Sequence, residues 1–320
     1  MYDTASNFKI MKPHKYLTYI FLMFLTFLIE SCETIIDVDL PDHQPTLVIN
    51  TLFADDTTFT ILVHQNKDIL DSDYDFSTVS NATVELFEDG DPIGSAYEAE
   101  PGRYLLNHYP RAESQYSIQV SKQGFPAVES SDILPYINNS IAVDEIKVVK
   151  DEYGGEQYQL TYSFQDQPGD DFYEVVLFTY YPMYEYYEDE DTSYYFQVGN
   201  YKEYIYYNDV GATLNEFEDG YDNVGMYSDE LFDGKKHSKT IEFYTYFYYE
   251  EVEETDQKIY LELRHVSEAY YRYQVSKTLQ ANAQDNPFAE AAPVFNNIQN
   301  GFGIFAGYST EVTAIDFSGN

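Results

Sequence analysis

The sequence has no tryptophan and only one cysteine in 320 residues. A lone cysteine excludes an intramolecular disulfide and any zinc site built on several thiolates. Positive charge is scarce as well. Seventeen Lys and Arg face 56 Asp and Glu, a formal net charge of −39. A field of that sign repels phosphate backbones, so no nucleic-acid partner is expected. Long apolar runs are also missing. The longest uncharged, mostly apolar stretch, residues 16–29, has 14 residues, whereas a membrane-spanning helix takes about 20. Aromatic residues are what the chain has in quantity, 35 Tyr and 22 Phe. Leu, Ile, Val and Phe make up about a quarter of it, above the roughly 20% below which an acidic chain stays disordered. A packed core is therefore within reach, and the length suits two ordinary domains or one large β-domain.

The apolar stretch follows Lys9, Lys12 and Lys15 and leads into Ile29-Glu30-Ser31-Cys32. A basic start followed by a short apolar region reads as an export signal, with translation beginning at Met1 or at Met11. An aliphatic residue three positions before a cysteine resembles the lipobox of bacterial lipoproteins, in which the thiol is acylated and the chain is cut before it. The resemblance implies a signal peptide over residues 1–31, lipidation of Cys32, and a tether over residues 32–44. An ordinary secretory signal, or an anchor helix with an incidental cysteine, is the competing reading. Two or more acyl chains hold a protein to a membrane firmly, whereas one alone binds marginally. Without residues 1–31 the charge becomes about −40, so an anchored body would stand off an anionic surface.

From Pro45 onward the text is strand-like. Thr46–Leu52 and Thr58–Val63 are β-rich runs split by Ala54-Asp55-Asp56. Thr83–Phe87 alternates and meets an Asp-Gly hairpin signal at Asp89-Gly90. Gly102–Leu106 and Gln115–Val120 follow at sandwich-like spacing. Residues 45–135 are thus expected to form an Ig-like β-sandwich, similar to the carboxypeptidase-regulatory type. Residues 136–320 are expected to form a second, antiparallel β domain. Its strands include Ala142–Val149, Gln157–Phe164, Phe172–Tyr180 and Ile259–His265. The stretch from 181 to 260 concentrates Tyr and acids, as strands with solvated acidic tips such as Glu188–Asp191 and Glu250–Glu254. One helix is expected at about 267–283, capped by Ser267, with Tyr271, Val275 and Leu279 as its apolar stripe.

The last third carries a recurring pattern. Ser267-Glu268-Ala269-Tyr270-Tyr271-Arg272-Tyr273 is followed by Asp285-Asn286-Pro287-Phe288-Ala289-Glu290, and then by the run from Val294 to Ser309. Together with Ile36-Asp37-Val38-Asp39-Leu40-Pro41 near Cys32, this resembles the domain of unknown function 4249 family, lipid-anchored proteins of Bacteroidota-type outer membranes. The resemblance implies a lipid-anchored outer-membrane location, on the periplasmic face or the cell surface. It also implies an accessory role beside a TonB-dependent nutrient receptor. It supplies no catalytic residues. Read from the residues alone, Phe288, Ile298, Phe302, Ile304 and Phe305 are expected core side chains. Gly301, Gly303 and Gly307 are expected to permit positive φ or close backbone approach.

Motifs that would carry chemistry fall short. Gly301-x-Gly303-x-x-Ala306 matches a loose dinucleotide fingerprint, but too few residues follow for a βαβ unit. Gly307-Tyr308-Ser309-Thr310-Glu311 lacks the final glycine of a nucleophile elbow. The six histidines form no His-x-x-x-His pair. Asp71-Ser72-Asp73-Tyr74-Asp75 begins like a calcium loop, but Phe76 stands where glycine is required. Asp71, Asp73 and Asp75 are the calcium candidates, with a second acidic loop at Glu216–Asp222, and no other cofactor is expected. The leading expectation is a non-enzymatic binding or accessory protein for a small ligand or glycan. The alternatives are a carbohydrate-binding or adhesive lipoprotein using exposed Tyr, and a hydrolase on a β-scaffold.

Overall fold

Apolar and polar residues alternate with a period of two along most of the chain from residue 47, and strands form there. The computed structural model describes residues 44–68, 77–137, 140–151, 153–188, 192–210, 225–244, 258–284 and 292–317. Cys32 with its signal and the tether as far as residue 43, Asp71, Asp73 and Asp75, the acidic loop 216–222, and Phe288 all lie outside those residues.

The first eight strands are β1 (Leu47–Ala54), β2 (Phe59–Gln65), β3 (Thr83–Glu88), β4 (Asp91–Ser95), β5 (Tyr97–Glu100), β6 (Arg103–Leu106), β7 (Gln115–Ser121) and β8 (Val128–Ile133). The Asp-Gly signal is a hairpin turn between β3 and β4, with φ of 51° at Asp89 and 88° at Gly90. Two positive φ values in succession give the turn a twist that matches the flanking strands. After these come β9 (Ala142–Lys150), β10 (Glu156–Gln165), β11 (Phe172–Glu188), β12 (Ser193–Tyr204), β13 (Tyr207–Asp209), β14 (Gly225–Ser228), β15 (Lys236–Phe243), β16 (Ile259–Val266) and β17 (Phe302–Ala314). The chain is therefore mostly β, built from several antiparallel sheets with one α-helix among the described residues, α1 (Glu268–Gln284).

Three sheets result. A long sheet runs β12-β11-β16-β17-β1-β2-β6-β5, with β14 beside the start of β11. Two four-stranded sheets, β4-β3-β7-β8 and β13-β15-β10-β9, cover different parts of it. Between the first of these and the long sheet lies a core of Ile49, Phe59, Ile61, Leu86, Tyr116 and Phe305. Between the second and the long sheet lies a core of Leu160, Tyr162, Val175, Ile241, Leu261 and Leu263. The boundary expected near residue 135 falls in the loop between β8 and β9, and the long sheet passes across it.

Strand β17 makes that crossing. Its first half pairs parallel with β1, Val48 opposite Phe302 through Ala54 opposite Tyr308. Its second half pairs antiparallel with β16, from Val266 opposite Tyr308 to Tyr260 opposite Ala314. Gly303 allows the parallel pairing. Its φ is +113°, and a Cβ there would fall 2.0 Å from the Ile49 carbonyl oxygen, so any side chain would separate the strands. Asn297 fastens the same strand with its amide. Its Nδ2 donates to the Phe305 carbonyl (2.7 Å), and its Oδ1 accepts from the Phe305 N–H (3.0 Å).

The core expectation holds for Ile298, Ile304 and Phe305 and fails for Phe302, which is 50% exposed. Phe302 shares the outer face of β17 with Ile304 and Ala306. Those two are covered by α1 through Tyr270, whereas Phe302, at the start of the strand, has no such cover among the described residues. The helix begins as expected, with Ser267 Oγ accepting the Tyr270 N–H at 3.2 Å. Its stripe holds at Tyr271, which stacks on Phe172 at 4.7 Å between ring centres, and is corrected at its far end. Leu279 is 48% exposed, and the residue that buries fully is Tyr270. The sheet offers α1 a polar pocket around Glu174, and a tyrosine can fill that pocket where an aliphatic side chain would leave the carboxylate unpaired.

Candidate functional site

The outer face of the long sheet changes character along β11. Under α1 it carries ions. Arg264 donates to Glu262 (2.6 Å) and to Glu174 (2.8 Å), and Tyr270 donates to the same Glu174 oxygen (2.7 Å). Lys202 closes the group by pairing with the other oxygen of Glu262, while its ammonium sits 3.9 Å from the Phe178 ring centre. Burial pushes the Glu262 carboxyl up, but Arg264 and Lys202 outweigh that effect and hold it below the usual range. Two acids and two bases are thus matched, as buried charges must be. The group reads as a scaffold, because each of its carboxylates is already engaged.

Beyond Phe178 the layers end but the strands continue. Strands β11 and β12 run on as a two-stranded ribbon, pairing from Phe178 opposite Tyr204 to Glu188 opposite Ser193. The burial pattern of β11 passes from fully buried to fully exposed along its length. Tyr186 faces Tyr195 at 5.0 Å between ring centres, Tyr187 faces Tyr194 at 5.3 Å, and Tyr181 faces Tyr201 at 5.7 Å. These cross-strand rings brace one another and hold the ribbon together. Tyr195 is 71% exposed, and Tyr184 and Tyr186 are also open to solvent. Both faces of the ribbon are aromatic because successive side chains alternate. Rings held this way present flat apolar faces with hydroxyls at their rims. Such faces suit stacking and hydrogen bonding.

At the opposite end of β11, three carboxylates converge. Asp166 and Asp171 flank the β10–β11 loop, and Asp229 opens the short 3-10 turn Asp229–Leu231 after β14. One ligand atom from each lies within 4.8 Å of the other two. Asp166 accepts from the Tyr173 hydroxyl and from the Gly234 N–H, each at 2.7 Å. Asp171 Oδ1 meets His265 Nε2 at 2.9 Å.

The sequence places Tyr-rich strands with solvated acidic tips between 181 and 260, and exposed Tyr enters there only with the carbohydrate-binding alternative; no residue of this carboxylate group is placed in a site. Asp229 lies 63 positions after Asp166, and only the pairing of β14 with β11 brings the two loops together. The described histidines, His64, His108, His237 and His265, are dispersed and form no shared centre among the described residues.

A family model described as "Domain of unknown function (DUF4249)" matches residues 33–314. Compared with curated proteins, the chain matches none.

Proposed function

Because the chain belongs to the DUF4249 family, we propose that it works as a non-enzymatic, lipid-anchored binding protein of the outer membrane. In this reading it assists a TonB-dependent nutrient receptor, and the tyrosine ribbon is its recognition element. One observation carries the reading: β11 and β12 extend beyond both sandwich cores and expose braced Tyr rings on each face. Monomeric bodies seldom keep contiguous apolar surface of that kind in water without a partner for it, and Tyr is the residue type that most often anchors interfaces. The anchor in this proposal is acylated Cys32, and the strong negative charge keeps the body clear of the lipid surface.

A second reading, carbohydrate binding, is favoured by the open pair Tyr186 and Tyr195, since sugar rings stack on exposed aromatic faces. A pull-down from intact envelopes distinguishes the two. The wild-type chain should recover an outer-membrane receptor, and a variant with Tyr184, Tyr186 and Tyr195 changed to Ser should not. Retention of the receptor by the Tyr variant would sink the ribbon as the docking element. Recovery of glycan in place of receptor would move the conclusion to the second reading. In the same envelopes Cys32→Ser should leave the body unanchored or uncleaved, and a wild-type mature N-terminus that mass spectrometry finds without acylated Cys32 would remove the lipid anchor from the proposal.

A further inference from the structure

Three carboxylates whose oxygens lie within 4.8 Å of one another repel strongly, more so where water is excluded. Asp166 and Asp229 are both buried, with 2% and 4% exposure. Asp229 Oδ2 is buried and makes no hydrogen bond. A buried carboxylate oxygen without a donor is costly, and proteins seldom keep one without a ligand for it. Burial pushes the Asp229 carboxyl up, and the charges of Asp166, Asp171 and Asp233 push in the same direction. Among the described residues, the basic group that reaches the three is His265, and it engages one oxygen of Asp171.

The surrounding backbone is arranged to hold this geometry. The Asp229 N–H donates to the Asp171 carbonyl (3.1 Å), the Asp166 N–H donates to the Lys235 carbonyl (3.0 Å), and the Gly169 N–H donates to Asp233 Oδ1 (3.1 Å). The β10–β11 loop and the segment from β14 to β15 are thus tied together at several points, with the carboxylates between them.

We propose that Asp166, Asp171 and Asp229 form a calcium site that clamps these two loops. All three donors are hard oxygens, which favours calcium, magnesium or manganese over zinc or copper. The three oxygens lie within 4.8 Å of one another, close enough to share one ion. Calcium takes carboxylate oxygens in flexible geometry, whereas magnesium demands a near-ideal octahedron and gives up its waters reluctantly, so calcium is the better match to three protein carboxylates. Three protein carboxylates, with water completing the shell, suit the weak affinity range of extracellular calcium modules. The ion would give Asp229 Oδ2 its missing partner and neutralise the mutual repulsion.

The test is a thermal melt of the purified full-length chain in EDTA, in calcium and in magnesium, beside Asp229→Asn. Calcium at about 100-fold above its dissociation constant should raise the wild-type Tm by roughly 5 °C. Asp229→Asn should lose that response while melting in EDTA no lower than the wild type, because it removes a repelling charge. If Asp229→Asn does not fold, Asp171→Asn, at a half-buried position, should show the same loss of response. A wild-type Tm that calcium leaves unmoved overturns the site. An equal rise in wild type and variant assigns calcium to the acidic surface and also overturns it. An equal rise with magnesium overturns the choice of ion.

Discussion

Asp132 shows how one side chain can set a pH response. It lies in β8, where its Oδ2 accepts the Gly307 N–H at 2.9 Å and the Ser267 hydroxyl, so it links β8, β17 and the cap of α1. Burial raises its carboxyl from 3.8 to about 6, with the hydrogen bonds from Ser267 and Gly307 pulling the other way. The folded chain therefore holds this proton more tightly than the unfolded chain does. The stabilisation is complete below the unfolded value and is lost as pH rises through about 6. Between pH 7 and pH 5 the wild type should gain about 1 kcal/mol relative to Asp132→Asn. Urea titrations of both proteins at the two pH values measure this difference, and parallel responses would show that Asp132 is not the group. The outer face of β17 yields a second expectation. Phe302→Ala should change stability by no more than about 0.5 kcal/mol, as at other open positions. A large loss of Tm would place Phe302 back in the core.

At the scale of elements, the sequence was legible where burial on one face writes an alternation. Strands β1, β2, β3, β7, β10 and β16 all appear where the pattern places them, and so does the Asp89-Gly90 hairpin. Strand β11 was legible only as far as Tyr180. Beyond that point neither face is covered among the described residues, aromatic residues occupy both, and the alternation disappears. The stripe on α1 was legible only in part. Tyr271 does pack, stacked on Phe172, but the helix buries Tyr270 more deeply because the sheet there presents Glu174 and Arg264 beside its apolar side chains, and aliphatic spacing does not mark a polar partner. The run from Asn296 to Gly307 is fastened by its own hydrogen bonds. Asn297 copies a strand partner for Phe305, and Gly303 admits the Ile49 carbonyl. The carboxylate triad was illegible because its members share no spacing. They meet through the pairing of β14 with β11, which local pattern does not encode.

At the scale of the whole molecule, β17 belongs to both halves of the long sheet. Phe305 belongs to the first core, with its ring 4.7 Å from Phe53, while Ile315, just past the strand, belongs to the second. The same strand hydrogen-bonds β1 on one side and β16 on the other. Loss of β17 would expose an edge of each half of the long sheet and an opening into each core. Residues 44–320 accordingly form one compact unit by their contacts. Phe305→Ala removes a fully buried ring and should cost ~3–5 kcal/mol. If β17 couples the halves, that cost appears in both. Amide exchange should quicken in β2 and β7 of the first half and equally in β10 and β15 of the second, within a single melting transition. If the halves are independent, exchange in β10 and β15 stays at the wild-type rate and the melt separates into two steps. That outcome would reduce β17 to a strand borrowed by the first sandwich.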